Sequence, residues 1–177
     1  MTKPRSVVSI LDLSTEEIDY LMNTADDIDK HPDNYREKCR HKILSTIFFE
    51  PSTRTRLSFE SAMLSLGGSV ISTADSKTSS AAKGESVSDT VKVISNYADI
   101  IAMRHPKEGA PVVAAMKASV PIINAGDGGH FHPTQTLADL LTIRRTKGRL
   151  SGLTLGLCGD LMFGRTVHSL IEAMLRY

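Results

Sequence analysis

The hydrophobic positions of this chain alternate between two rhythms. Short apolar runs occupy residues 43–49, 70–72, 100–103, 120–123 and 153–159. Between them, apolar residues recur every three or four positions. A run of about 4–8 apolar or β-branched residues fits a buried strand, whereas a three-to-four spacing fits a helix with one inward face. The helical stripes carry Ile18, Leu21, Met22, Ala25 and Ile28; Phe59, Ala62, Met63 and Leu66; Val87, Val91, Ile94 and Ala98; Val112, Val113 and Met116; Leu137, Leu140 and Leu141; and Val167, Leu170, Ile171 and Met174. Their ends are marked as well. Ser14-Thr15-Glu16-Glu17 is a capping box, Ser86 and Asp89 open another helix, and His31-Pro32, Gly67-Gly68 and Gly148 are stops. Met63, Met116 and Met174 sit at helical core spacing and need no ligand to account for them. Residues 75–84, rich in Ser, Ala and Lys, have no period and read as a loop, and 124–133 reads as a Gly-rich loop after the 120–123 strand.

Strand–helix alternation of this length predicts an α/β fold, a parallel sheet flanked by helices and joined by right-handed crossovers. Ligands in such sheets bind beyond the carboxyl ends of the strands. The polar motifs fall at those ends: 52–56, Arg104-His105, 124–135 and 160–165. A polar link, 144–151, suggests a boundary, with residues 1–147 forming one domain and 148–177 the first strand and helix of another. One strand and one helix cannot bury a core alone. The pattern therefore predicts a chain cut shortly after a second domain begins, with residues from about Ser151 onward loosely held or partnered by another chain.

Composition narrows the function. Over 177 residues the formal net charge is +1, so no global field recruits nucleic acid or a membrane surface. Tryptophan is absent and aromatics are 5%, which argues against base-stacking surfaces. No apolar run reaches membrane-spanning length, and the N-terminus has no signal-peptide core. Cys39 and Cys158 lack metal-type spacing and read as reduced thiols of a cytoplasmic protein.

The chemistry centres on Phe49-Glu50-Pro51-Ser52-Thr53-Arg54-Thr55-Arg56, which lies between a predicted strand and a predicted helix. Free backbone N–H groups and the helix dipole favour an anion there. Ser52, Thr53 and Thr55 add hydroxyls, and Arg54 and Arg56 add planar forks that match phosphate. The chain has no G-x-x-x-x-G-K-[ST] loop, no G-x-G-x-x-G and no G-x-S-x-G, so nucleotide hydrolysis, hydride transfer and serine-esterase chemistry lose their usual hallmarks. An anion cradle with arginines, a histidine and a glutamine suits a small phosphorylated substrate whose carbonyl is attacked as phosphate departs. Asp127, His130 and His132 could ligate a metal, but no third histidine or cysteine supports them. No metal and no cofactor are expected.

Ser52-Thr53-Arg54-Thr55-Arg56, Arg104-His105-Pro106, His132-Pro133-Thr134-Gln135 and Gly164-Arg165-Thr166-Val167-His168-Ser169 follow one another as in aspartate carbamoyltransferase catalytic chains, which this chain resembles from about Val8 to Tyr177. The first and third motifs are shared with ornithine carbamoyltransferases. The finer choice rests on Arg104-His105-Pro106, Asn124-Ala125-Gly126-Asp127-Gly128, Lys83-Gly84-Glu85 and Gly164-Arg165-Thr166. The resemblance implies carbamoyl transfer from carbamoyl phosphate to L-aspartate, the committing step toward pyrimidines. It makes 1–147 a carbamoyl-phosphate-binding domain and 148–177 the start of an aspartate-binding domain. By position it implies that Ser52, Thr53, Arg54 and Thr55 bind phosphate. Arg104, His132 and Thr55 would hold the carbonyl oxygen, Gln135 the carbamoyl amide, and Arg165 the aspartate α-carboxylate. Ser79 and Lys83 would reach a neighbouring subunit's site, which implies a homotrimer with shared active sites and leaves room for separate regulatory chains. The family's further aspartate-binding arginines and His-Pro-Leu-Pro turn are not in this sequence. The chain alone would then lack full activity, and the alternative is a non-catalytic phosphometabolite-binding or trimer-forming module.

Overall fold

A computed structural model describes residues 5–73 and 84–177. Four parallel strands, β1 (Ile43–Phe48), β2 (Ser69–Thr73), β3 (Ile100–His105) and β4 (Ile122–Asp127), form one sheet in the order β2-β1-β3-β4. Six α-helices accompany them: α1 (Thr15–Lys30), α2 (Thr53–Ser65), α3 (Val87–Ile94), α4 (Ala110–Lys117), α5 (Pro133–Lys147) and α6 (Arg165–Met174). The predicted parallel sheet flanked by helices is therefore present.

Register decides which side each strand residue serves. β1 and β3 pair Ile47 with Met103 and Thr46 with Ala102. Side chains alternate along a strand, so Ile47, Ile101 and Met103 share one face, where they pack with Val91 of α3 and Ala114 of α4. Leu44 and Ala102 face the other way and meet Met63 of α2. Arg104, two residues beyond Ala102, is thereby sent to the α2 side of the sheet. Burial on both faces is what the near-continuous apolar strands demand. A third cluster joins Ile10, Leu13, Ile18 and Met22 to Leu140, Leu150 and Ala173, tying α1, α5 and α6 together.

Caps form as the sequence predicts. Ser14 Oγ accepts from Glu17 N–H while the Glu17 carboxylate accepts from Ser14 N–H. Ser86 Oγ accepts from Asp89 N–H, and Gly148 ends α5 at φ +71°.

Several expectations need correction. Residues 124–127, read as loop, are strand, because Asn124 and Asp127 satisfy each other and nearby backbone inside the protein. Residues 153–159 form no strand and are mostly exposed. The outer edge of β4 is already taken by Val7, whose N–H donates to Ile122 C=O and whose C=O accepts from Asn124 N–H. α6, in contrast, is not loose. Ser169 and Ala173 are buried, and Leu170 and Met174 pack into the α1–α5 cluster. Arg176 donates to the Ile10 and Leu13 carbonyls at 3.3 and 2.6 Å, and Tyr177 Oη to Asp19 at 3.0 Å. The helix at 110–117 turns Ala110, Pro111 and Ala114 inward, leaving Met116 69% exposed instead of in the core. Of the α2 stripe only Met63 is buried; Phe59 is half-buried and Ala62 exposed.

Candidate active site

β1 hands the chain to α2 through Glu50-Pro51-Ser52, and Ser52 occupies the N-cap position without making a side-chain cap. Its hydroxyl and the first backbone N–H groups of α2 are thus left to a ligand, at the positive end of the helix dipole. A cavity of about 670 Å³ opens here. Ser52, Arg54, Thr55, Arg104, His132, Gln135 and Arg165 all line it, with Thr134 and Thr166 among the remaining wall. Seven of the predicted site residues therefore converge from four loops far apart in sequence. Thr53 opens α2, is exposed, and does not line the cavity. Arg56 turns away and pairs with Glu60 at 3.7 Å. Ser79 and Lys83 lie outside the described residues.

Arg104 leaves the end of β3 almost fully buried. Its Nη1 donates to Ala125 C=O at 3.2 Å and its Nη2 to Glu50 Oε1 at 2.6 Å. Arg165, at the first position of α6, donates to both Glu50 oxygens, at 2.9 and 3.3 Å, and to Gly128 C=O. Glu50 is thus the counter-charge that holds two arginines across the cavity. Burial opposes its ionisation, but the hydrogen bonds from Arg165 and Arg104 outweigh burial and hold its carboxyl below the usual range. Arg54 makes no ion pair among the described residues, which leaves its fork to a ligand.

His132 is the N-cap of α5, and its Nδ1 accepts from Gln135 N–H at 3.4 Å. Nε2 then carries the proton of the neutral ring and can donate it to a ligand oxygen. Burial, reinforced by Arg104 and Arg165, pushes its pKa down to about 4. At neutral pH it is an uncharged donor. Gln135 spends its amide nitrogen on Asp139 at 2.9 Å. His105 is buried beside the site; burial lowers its pKa, and its Nδ1 accepts from Lys107 N–H at 2.9 Å.

Backbone geometry lets these groups meet. Met103 pairs with Asn124 but His105 with Asp127, so β4 carries one extra residue at its end. Such a bulge re-aims the strand. Within it Gly126 has φ +112°, and a Cβ there would stand 3.0 Å from Arg104 Nη1, 3.3 Å from His132 Cδ2 and 3.4 Å from Arg165 Nε. Sequence reasoning assigned no role to Glu50 or Gly126. The available signal for Glu50 was an acid placed directly before an arginine-rich anion cradle. Among the described residues no group of three His, Cys, Asp or Glu could hold a metal, and no helix is long and apolar enough to cross a membrane.

The comparisons agree with this geometry. The chain is 64% identical over 173 residues to the aspartate carbamoyltransferase catalytic subunit of Lachnoclostridium phytofermentans, covering 98% of this chain and 56% of that protein. It is 60% identical over 177 residues to the corresponding subunit of Clostridium acetobutylicum, covering all of this chain and 58% of that protein. The chain thus spans little more than half the length of the curated relatives it matches. Among solved structures, the catalytic subunit of aspartate transcarbamoylase from M. jannaschii superposes with a TM-score of 0.90 at 51% identity, covering 98% and 57% of the two chains. Aspartate transcarbamoylase from Trypanosoma cruzi in complex with carbamoyl phosphate and aspartate gives 0.92 at 40%, covering 98% and 55%. Residues 5–145 match the family described as aspartate/ornithine carbamoyltransferase, carbamoyl-P binding domain. The fold, the cavity at the head of α2 and this match together place the chain in the aspartate/ornithine carbamoyltransferase family, to which it belongs through its carbamoyl-phosphate-binding domain.

Proposed function

We propose that this chain binds carbamoyl phosphate at the head of α2 and presents it to the amine of L-aspartate. The observation that carries this reading is the convergence of the α2 N-terminus, three arginines, neutral His132 and Gln135 on one cavity. In this reading the phosphate sits on Ser52, Thr53, Arg54 and Thr55, where backbone N–H groups and the Arg54 guanidinium meet its charge. Arg104, Thr55 and the Nε2–H of His132 point their donors at the carbonyl oxygen. Attack by the amine nitrogen on the carbonyl carbon gathers negative charge on that oxygen. The bond from that carbon to the ester oxygen of the phosphate then breaks, phosphate leaves with the electron pair, and the nitrogen gives its proton to the departing phosphate. Donors fixed before the reaction stabilise this charge without reorganising. Gln135 receives the carbamoyl amide, and Arg165 the aspartate α-carboxylate, which there takes over from Glu50.

The reading extends to a cytoplasmic homotrimer with shared active sites, in which Ser79 and Lys83 serve a neighbour. Exposed Leu57 and Leu64 on α2 and Ile71 on the edge strand β2 supply apolar surface suited to a subunit contact. Regulatory chains fit the term "catalytic subunit" carried by the relatives. In this scheme residues 1–147 are the carbamoyl-phosphate domain and 148–177 begin the aspartate domain.

The test is a chimera that continues this chain with the corresponding remainder of the Lachnoclostridium phytofermentans protein. It should form carbamoylaspartate and lose that activity on Arg54→Ala or His132→Ala. Carbamoyl phosphate binding without turnover in the chimera would favour the binding-module alternative. Absence of binding would overturn both.

A further inference from the structure

We propose that Asp127 is the positioning residue of this site, fixing the loop that carries His132 and the carbonyl that receives Arg165. The inference rests on the reading of the cavity as a phosphate-and-carbonyl site.

Asp127 ends β4 and is fully buried, yet its side chain does not reach the cavity. Each carboxylate oxygen accepts from two partners. Oδ1 takes the Phe131 N–H and the Asn124 amide, both at 3.0 Å; Oδ2 takes the Gly109 N–H at 2.8 Å and contacts His130 Nδ1 at 3.3 Å. The Phe131 bond closes the turn immediately before His132, and the Phe131 carbonyl accepts from the Asp127 N–H at 3.2 Å. The Gly109 bond ties the same carboxylate to the segment that follows Arg104-His105. Gly128, one residue on, donates its N–H to His105 C=O at 3.0 Å and offers its own carbonyl to Arg165. Asn124 completes the hub by donating to Val8 C=O and accepting from Gly126 N–H. One buried carboxylate thus joins the exits of β3 and β4 and bears on two groups of the cavity wall, His132 and Arg165. A side chain needed only to fill space would not require four directional contacts of this kind. An amide here must turn an –NH₂ toward one of two backbone N–H groups, Gly109 or Phe131, and lose that contact.

The test is Asp127→Asn in the chain as it stands, read out by NMR of the His132 ring and by titration with carbamoyl phosphate, whose carbonyl oxygen is the group His132 meets. The ring of His132 faces Arg104, Arg165 and Glu50, with Gln135 N–H at Nδ1. When the loop loosens and water enters, its titration should move up from about 4 by a unit or more. Carbamoyl phosphate affinity should fall about ten-fold, while the far-UV spectrum stays native. Unchanged His132 titration and carbamoyl phosphate affinity, with only a lower melting temperature, would overturn the proposal and make Asp127 a core residue. If Asp127→Asn does not fold, hydrogen exchange of the unaltered chain decides. In the unaltered chain, the Phe131 and Gly109 amides must also be protected from hydrogen exchange; rapid exchange at both would overturn the proposal without any variant. Failure of carbamoyl phosphate to bind the unaltered chain would count against the functional reading, whereas the His132 titration tests Asp127 independently of it.

Discussion

Gly126→Ala is the sharpest perturbation of the site's backbone. At φ +112° an L side chain is strained whatever the space, and space is lacking too. The new methyl would press on Arg104 Nη1 at 3.0 Å and His132 Cδ2 at 3.3 Å. Neither can yield freely. Arg104 is pinned by Ala125 and Glu50, and His132 is buried at the α5 cap. Backbone strain of about 1–3 kcal/mol and overpacking of about 1–3 kcal/mol combine to a loss of about 2–6 kcal/mol. Displacing one charge-assisted donor from the carbonyl oxygen should weaken carbamoyl phosphate binding about ten-fold or more. Gly152→Ala is the control: its φ is +64° but nothing lies within 4 Å of its Cβ. It should cost about 1 kcal/mol and leave carbamoyl phosphate affinity alone. Thermal melting and calorimetric titration with carbamoyl phosphate measure both terms. If Gly126→Ala matched Gly152→Ala in each, the close approach of the β4 bulge to the arginines would have no energetic meaning.

Arg54→Ala removes an uncommitted guanidinium from the cavity and should weaken phosphate binding by about 1.5–3 kcal/mol without lowering the melting temperature; calorimetry checks it. His132 gives a pH signature: its folded pKa of about 4 lies below the ordinary 6.5, so the unfolded chain takes up its proton first. The stability this contributes is full above pH 6.5 and is lost as pH falls toward 4, by roughly 3 kcal/mol at most. Urea unfolding across that window should show a shallower decline for His132→Gln. Hydrogen exchange should be fast throughout 153–159 and slow in α6 near Ala173; slow exchange in 153–159 of a monomer would contradict the exposed conformation.

Much of this was legible in the sequence, for local reasons. The β1, β2 and β3 runs and the caps at Ser14, Ser86 and Gly148 depend on residues within a turn or a strand of one another. The site motifs were legible because strand ends in a parallel sheet converge. What escaped depends on distant partners. Glu50 meets Arg104 and Arg165 only after folding brings together residues 54 and 115 positions away. Asn124 and Asp127 looked like loop because their polarity is answered inside the protein and not by water. Residues 153–159 have the apolarity of a strand, but strand formation also needs a partner strand, and none pairs with them among the described residues. In α4 the small Ala110 and Ala114 face inward, so the larger valines misled the assignment of its face.

The central claim is that the head of α2 and the His132 loop form one carbamoyl phosphate site. Its most direct measurement is an NMR titration of this chain with carbamoyl phosphate, following the backbone amides of Thr53, Arg54 and Thr55 and the ring of His132. The account predicts saturable shifts at all of these with one common affinity, abolished by Arg54→Ala. Shifts confined to other surfaces, or a His132 ring that stays silent while α2 responds, would contradict it.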